Sequence, residues 1–260
     1  MTSTRVAVLG MYDFPELRAA WDDLYASAAG HVDGVPAALT WDIEAHDSWL
    51  HPDLTIGMAC GWPLVKTLRD RVRVVGTFSY EGTDGPPHEY RSLIVTGTEA
   101  TFEQIADAPS EYRAAVNSSD SLSGSISLLA AFGLGLQWPG DVVGTGSHVA
   151  SIEAVRSGDA DVAAIDGMTW CYRERQAPES LAGLRIIGHG PLVPCLPLIV
   201  PAATSDADIR AWRDGFAAAV RDTALEASLA KLMIDDFVPL DAIDYTAALA
   251  DLMRRHLQSA

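Results

Sequence analysis

The chain has few cysteines and no metal-binding or cofactor motif. Its three cysteines, Cys60, Cys171 and Cys195, are an odd number without C-x-x-C spacing, which argues against a zinc site or a disulfide framework. The sequence also contains no H-x-H, H-E-x-x-H, G-K-S or G-x-G-x-x-G run, so metal-ligand pairs and phosphate loops are missing. We therefore expect neither a metal nor a cofactor.

Basic residues are scarce as well. The chain carries 18 Lys+Arg against 35 Asp+Glu, a formal net charge of −17. Such a surface repels nucleic acid and anionic membranes, and it does not attract anions over long distances. Any anion site must therefore depend on local hydrogen-bond donors and helix dipoles.

Long apolar runs are missing from the N-terminus, which has one Arg and then a short apolar stretch that ends at Asp13. This stretch is too short for a signal-peptide core or a membrane span. As written, the sequence predicts a cytoplasmic protein without membrane insertion. A natural leader replaced by Met would leave the same sequence, and the protein would then be periplasmic or extracytoplasmic.

What the sequence does contain is an α/β pattern, with short runs rich in Val and Ile alternating with stretches of helical period. The 260 residues are 48% hydrophobic, enough for two packed domains. The predicted strands of a first unit are "RVAVLGMY", "AALTW", "DLTIGMAC" and "VRVVGTFSY", and those of a second are "SLIVTG", "YRAAVN", "DVVGTG" and "ADVAAID".

Two Gly- and Pro-rich connectors, "EGTDGPPHEYRS" and "GHGPLVPCLPLIVPA", divide the chain. The C-terminal region is predicted to be helical, without room for a sheet of its own, so we expect it to pack on the first unit. The prediction is a discontinuous domain of residues 1–88 plus 196–260 and an inserted domain of 89–195. The two connectors would serve as hinge segments that join the domains, with a ligand cleft between the two domains.

Polar residues follow several of the predicted strands at their carboxyl ends, where open α/β sheets bind ligands. In the first domain they are Tyr12, Asp13, Cys60, Gly61 and Tyr80. In the second they are Ser121 to Gly124, Ser147, His148 and Asp166.

The stretch "NSSDSLSG", residues 117–124, has two interpretations. Ser and Asp side chains cap the first turn of a helix, and the amides of such a turn also bind anions. "GTGSH", residues 144–148, allows the same two interpretations, because Ser147 can cap a helix whose first turn contains His148. If both helices start at one place, their amides and serine hydroxyls could hold an oxyanion without Lys or Arg.

Other residues allow different chemistry. Cys60 stands at a predicted helix N-terminus, where it is either a nucleophile with His148 as its base or a small buried residue in a tight turn. Asp166 is either a helix cap or an acceptor for the ligand or for His148. We expect Trp41, Trp49 and Trp62 to serve packing more than ligand stacking.

The order of these motifs resembles the substrate-binding components of phosphate, phosphite and phosphonate ABC transporters, in a leaderless subgroup. The resemblance extends almost end to end, and its specific part is "NSSDSLSG" followed by "GTGSHVASIEAVRSGDADVAAIDGMTW". It implies the type II periplasmic-binding-protein fold, with two α/β domains of mixed sheets and a cleft between them.

The resemblance also implies ligand-binding roles for Ser121, Leu122 through its amide, Ser123, Gly124, His148, Tyr80 or Tyr90, and Asp166. The full set predicted to bind ligand keeps both tyrosines and adds Tyr12, Cys60, Gly61, Ser92, Ser147 and Trp170. Two positions depart from the family pattern: Leu122 stands where a hydroxyl is usual, and Met168 where an acidic residue is common.

The predicted function is the binding of a small anionic solute by hinge closure, in a monomer that serves an ABC permease. The alternative is a cytosolic enzyme on the same fold, of the lyase or cofactor-biosynthesis type. It would use His148 as general base, with Asp166 and Cys60 beside it. A third hypothesis is a cytosolic sensor whose ligand-bound form docks on a partner.

Overall fold

The structure, a computed structural model, describes residues 5–82 and 85–258, and side chains as far as residue 255. The described residues form two compact units. The first contains 5–82, 86–88 and 194–247, and the second contains 85, 89–193 and 248–258. The sequence placed 196–260 in the first unit, whereas the structure groups the last helix with the second. An amphipathic helix without a sheet of its own can bury its apolar face on either unit, so its sequence does not determine the unit on which it packs.

The strands are β1 (Val6–Val8), β2 (Leu54–Met58), β3 (Val72–Tyr80), β4 (Glu89–Tyr90), β5 (Ser92–Thr96), β6 (Ala114–Val116), β7 (Val142–Gly144), β8 (Val162–Asp166), β9 (Arg185–His189), β10 (Val193–Pro194), β11 (Leu198–Pro201) and β12 (Ile234–Val238). The short strands β4 and β10 pair in a two-stranded ribbon within the two connectors.

The α-helices are α1 (Arg18–Ala29), α2 (Ala45–Ser48), α3 (Gly61–Pro63), α4 (Phe102–Asp107), α5 (Ser127–Ala131), α6 (His148–Ser157), α7 (Gly167–Gln176), α8 (Asp206–Ala219), α9 (Glu226–Leu232), α10 (Ala242–Ala248) and α11 (Ala250–Gln258). The described residues contain two π-helical turns. Leu64–Leu68 directly follows α3, and Leu122–Ile126 directly precedes α5. Single 3₁₀ turns occupy Gly10–Tyr12, Pro109–Glu111, Pro178–Leu181 and Thr223–Leu225.

The first unit has a mixed sheet of order β1-β2-β11-β3-β12. Strands β1 and β2 are parallel, and β11 is antiparallel to both β2 and β3. The carboxyl ends of β1, β2 and β3 therefore lie at one edge of this sheet. Aromatic rings from α1, β3 and α8 fill its core: Phe78 contacts Trp21 and Phe216 at centroid distances of 6.0 and 5.4 Å.

The second unit has a mixed sheet of order β7-β6-β8-β5-β9. Strand β6 is parallel to β7 and to β8, and β5 is antiparallel to β8. Successive residues of β5 enter different cores because side chains alternate along a strand. Ile94 packs with Leu128 of α5, and Val95 packs with Ile152 of α6.

The predicted fold class is confirmed, because both units are α/β with mixed sheets. The predicted strand "AALTW" is wrong. Residues 37–41 are not a strand, and they join the sheet through a single bond in which the Thr40 amide donates to the Ala7 carbonyl at 2.8 Å. One bond beside an edge strand does not make a ladder, although Leu39 is buried as a strand residue would be.

Within the part of the chain that the structure describes, no helix combines the length and apolar character that crossing a membrane requires. Among the same residues, no group of three or more His, Cys, Asp and Glu side chains is placed to hold a metal ion.

Candidate functional site

The candidate site lies at the edge of the second sheet where β6, β7 and β8 end. The register pairs Val116 with Gly144 and Ala115 with Ala163, so these three strands stop side by side. The loop after each strand leads directly into a helix. The sequence predicted this convergence from the carboxyl ends of parallel strands.

We call residues 117–124, which follow β6, the anion turn. The Ser121 hydroxyl accepts a hydrogen bond from the Gly124 amide at 3.0 Å, and the Ile126 amide donates to the Ser121 carbonyl at 3.0 Å. This second bond spans five residues and makes the first turn π-helical, a form that is frequent at functional sites. Capping and ligand binding are compatible, because a hydroxyl that accepts from an amide keeps its own proton to donate.

Gly124 allows the anion turn to pack against its own beginning. A Cβ atom at Gly124 would lie 1.8 Å from Oδ1 of Asn117 and 3.2 Å from the Ser121 hydroxyl. Only glycine fits this position without a shift of the Asn117 side chain. The sequence analysis included Asn117 in the turn but gave it no role, because a close approach of this kind has no local signature.

His148 joins the anion turn to the starts of α6 and α7. Its Nε2 lies 2.8 Å from Oγ of Ser123 and 3.5 Å from Nδ2 of Asn117, and its Nδ1 lies 3.4 Å from the backbone nitrogen of Asp166. Ser147 caps α6 by accepting from the Ala150 amide at 3.1 Å. Residues of the anion turn and of the β8–α7 junction therefore surround the imidazole ring at the start of α6.

The environment of His148 favours a neutral ring. Burial lowers its pKa below the ordinary value, and the negative charge of Asp166 and a hydrogen bond with the Ala164 backbone act in the opposite direction. A neutral imidazole has one donor and one acceptor nitrogen. One hydrogen therefore lies between Nε2 of His148 and Oγ of Ser123. This hydrogen bond orients the serine hydroxyl whichever of the two atoms is the donor.

Asp166 caps α7, since its Oδ1 accepts from the Thr169 amide at 3.0 Å. It is 2% exposed and lies opposite Ser92 in the β5–β8 register. The Ser92 hydroxyl is shielded from solvent and has no hydrogen-bond partner among residues 5–82 and 85–258. The antiparallel register of β5 thus brings a second predicted residue to the same edge.

Trp170, which was also predicted to bind ligand, lies in the core of the second unit. It is 8% exposed and packs in the core of the second unit with Val95, Ile152 and Ile165. Trp170 follows Asp166 by about one helical turn, so it lies under the start of α7 and faces the sheet. Leu122 is also buried, at 1% exposed, which explains an apolar side chain in the anion turn.

The predicted residues of the first unit meet at the corresponding edge of their own sheet. Tyr12 follows β1, and Tyr80 is the last residue of β3. The two rings contact edge to face, with 6.1 Å between their centroids. Cys60 and Gly61 follow β2, and both are buried. His148 contacts Ser123, Asn117 and Asp166 of the second unit, and a nucleophilic role for Cys60 stays a prediction.

The tryptophans of the first unit serve packing, as expected. The indole nitrogen of Trp49 donates to the Met58 carbonyl at 2.9 Å, and that of Trp41 to Asp22 at 3.1 Å. Trp62 is 2% exposed, and Lys66 lies over its ring at 5.5 Å.

Comparison with known proteins identifies the family. Residues 47–245 match the family described as "ABC transporter, phosphonate, periplasmic substrate-binding protein". No curated protein matches the chain by sequence at a significant level. Neither finding supports the enzymatic alternative.

Solved structures show the same fold. A binding protein component of a phosphonate ABC transporter from Pseudomonas aeruginosa has a TM-score of 0.77 at 17% identity, over 96% of this chain and 84% of that one. PhnD1 of Prochlorococcus marinus, in complex with methylphosphonate, has a TM-score of 0.72 at 13% identity, over 96% of both chains. A Xanthomonas citri protein bound to ATP has a TM-score of 0.67 at 14% identity, over 97% of this chain and 99% of that one. The family match covers most of the chain, and the chain therefore belongs to the phosphonate ABC transporter substrate-binding protein family.

Proposed function

We propose that the protein binds a small phosphorus oxyanion, namely a phosphonate, phosphite or phosphate, at the anion turn. The observation that carries this proposal is the contact of 2.8 Å between Ser123 Oγ and His148 Nε2, which joins the anion turn to the start of α6. The membership of the chain in a phosphonate-binding family supports the ligand class, and a relative of similar fold holds methylphosphonate.

The site would bind the oxyanion by neutral donors. Ser121 and Ser147 keep their hydroxyl protons after capping, and the first amides of the two helices add partial positive charge. Hydrogen bonds to an ionised acceptor are about twice as strong as those between neutral groups. The net charge of −17 repels anions at long range. Hydrogen-bond donors act only over short distances, so they can hold an anion at the site in spite of this net charge.

The two departures from the family pattern, Leu122 and Met168, restrict the class of ligand that we expect. Leu122 supplies no hydroxyl at its position, so one donor fewer reaches the oxyanion. Met168 is buried and apolar, so it cannot neutralise an aminoalkyl substituent. We expect weaker binding of aminoalkyl phosphonates than of phosphonates without an amine.

The proposal also includes ligand contacts from residues outside the anion turn, and the motion, assembly and location of the protein. Roles for Tyr12, Cys60, Gly61, Tyr80 and Tyr90 in ligand binding remain predictions. So do hinge closure, a monomeric state, an ABC permease as partner, and the cellular location. A decrease of the radius of gyration when ligand is added would support hinge closure.

The proposal can be tested by calorimetric titration with methylphosphonate, phosphite, phosphate and sulfate. The variant Ser123→Ala removes one hydrogen bond to a charged ligand, and His148→Ala removes the ring that orients the Ser123 hydroxyl for that bond. Such a bond contributes about 1.5–3 kcal/mol, so we expect affinity to fall by roughly 10- to 150-fold. Matched controls are Ser157→Ala and His189→Ala, which alter an exposed serine and an exposed histidine of the same unit.

The same proteins can be compared by thermal denaturation. A ligand at about 100 times its dissociation constant stabilises by about 2.7 kcal/mol, so the melting temperature should rise by several degrees. No heat and no thermal shift with any of the phosphorus oxyanions would contradict the proposal. Turnover of a bound compound, lost in His148→Ala, would instead favour the enzymatic alternative.

A further inference from the structure

Arg91 is a cationic residue that directly precedes Ser92 of the candidate site, and the sequence analysis gave it no role. It stands between Tyr90 and Ser92, both of which were predicted to bind ligand, and directly precedes β5. Its side chain is partly buried. Its Nε is shielded from solvent and has no hydrogen-bond acceptor among residues 5–82 and 85–258.

The backbone places Arg91 against the start of α7. A Cβ atom at Gly167 would lie 2.4 Å from the Arg91 carbonyl oxygen, so only glycine allows this approach. Gly167 follows Asp166, whose backbone nitrogen lies 3.4 Å from Nδ1 of His148. The Arg91 backbone is therefore a near neighbour of the residues that surround the His148 ring.

A buried guanidinium nitrogen without an acceptor is rare in folded proteins, because removing it from water is costly unless a hydrogen bond replaces the lost hydration. At the nearby start of α7, Asp166 Oδ1 accepts from the Thr169 amide, and Met168 is apolar and fully buried. Two other arginines of the second unit have carboxylate partners, Asp161 for Arg113 and Glu153 for Arg156. A group from outside the chain would satisfy Arg91.

We propose that Arg91 binds a second acidic group of the ligand, so that the preferred ligand is a phosphonate that also carries a carboxylate. The inference rests on the proposed function, in which the neutral donors of the anion turn and His148 hold the phosphorus oxyanion. The planar fork of a guanidinium matches a carboxylate with two parallel hydrogen bonds. Met168, where an acidic residue would repel a second anion, is consistent with this ligand class.

The test compares two phosphonates of similar size, phosphonoacetate and ethylphosphonate, by calorimetric titration. The wild-type protein should bind phosphonoacetate at least ten times more tightly. Arg91→Gln should lose ten-fold or more in affinity for phosphonoacetate and less than three-fold for ethylphosphonate. Arg156→Gln is the matched control, because it removes the same charge from the same unit at a residue paired with Glu153, and both affinities should stay within two-fold.

A second measurement needs no variant. The preference of the wild-type protein for phosphonoacetate should fall several-fold between 20 and 300 mM NaCl, because the extra charge pair is partly exposed and is screened by salt. This arm keeps the inference falsifiable if Arg91→Gln does not fold.

Three results would overturn the inference. Equal loss of both ligands in Arg91→Gln would mean that Arg91 binds the phosphorus oxyanion itself, and no loss of either would leave it a structural residue. A wild-type protein that binds both phosphonates equally well would refute the ligand class while leaving the proposed function intact. A folded wild-type protein that binds neither phosphonate would refute the proposed function as well.

Discussion

Replacing Gly124 by alanine should destabilise the second unit, because the new methyl group has no space. Its carbon would lie 1.8 Å from Oδ1 and 2.9 Å from Cγ of Asn117, and the Asn117 amide would have to rotate away from His148. Forced overpacking of this kind costs about 1–3 kcal/mol. The helix preference of alanine over glycine returns up to about 1 kcal/mol, so we expect a net loss of about 1–2 kcal/mol.

The loss can be measured by thermal denaturation followed by circular dichroism. For a chain of this size, 1 kcal/mol corresponds to about 2–4 °C, so the melting temperature should fall by roughly 2–8 °C. Gly144→Ala is the control, because a Cβ at that residue of β7 would have no atom within 4 Å. Its effect should stay within about 0.5 kcal/mol.

A double variant identifies the cause. Asn117→Ala removes the atoms that the Gly124→Ala methyl group would meet, so Gly124→Ala should cost far less stability in that background. If Gly124→Ala is as stable as Gly144→Ala, or loses equally with and without the Asn117 side chain, the close approach does not explain the glycine.

Three further outcomes are expected. Burial raises the pKa of Asp161, but the hydrogen bonds and charge of Arg113 outweigh this effect and lower the pKa. The ion pair therefore stabilises the folded protein fully above about pH 3.9, the pKa in the unfolded chain, and this stabilisation is lost as the pH falls through the lower pKa of the folded state. Asp161→Asn should therefore lower the urea midpoint at pH 7 and converge with wild type in acid, and a constant difference would contradict this. Burial lowers the pKa of His148, so below about pH 6.5 the unfolded chain binds more protons. The ligand-free protein should lose stability between pH 7 and 5, and His148→Gln should lose less; parallel melting curves would refute the lowered pKa. Gly167→Ala should lower the melting temperature, because its methyl group would meet the Arg91 backbone oxygen at 2.4 Å, and an unchanged value would show that the backbone yields.

Much of the candidate site could be predicted because its signals are local. An apolar strand followed by Ser, Gly and a helical period indicates a strand-to-helix turn, and parallel strands bring such turns to one edge. Ser121, Ser147 and Asp166 all cap helices where the sequence placed them. The choice between capping and anion binding proved not to be exclusive, since a capping hydroxyl keeps its proton.

Other features could not be predicted because they depend on pairs of residues far apart in sequence. Ser123 and His148 are 25 residues apart, and the spacing alone does not show that their atoms meet. Trp170 lies near a strand end in the sequence, and only the structure shows that the rotation of α7 places it in the core of the second unit.

The sequence by itself determined the class of the fold, the order of most strands and helices, and the turns that could hold an anion. These follow from hydrophobic period and turn chemistry, which act over a few residues. The tertiary structure alone decided which side chains meet at the edge of the second sheet. The antiparallel register of β5 sets Ser92 opposite Asp166, and the close approach at Gly167 sets Arg91 beside α7. Register and close approach are properties of two segments packed together, so neither segment specifies them by its own sequence.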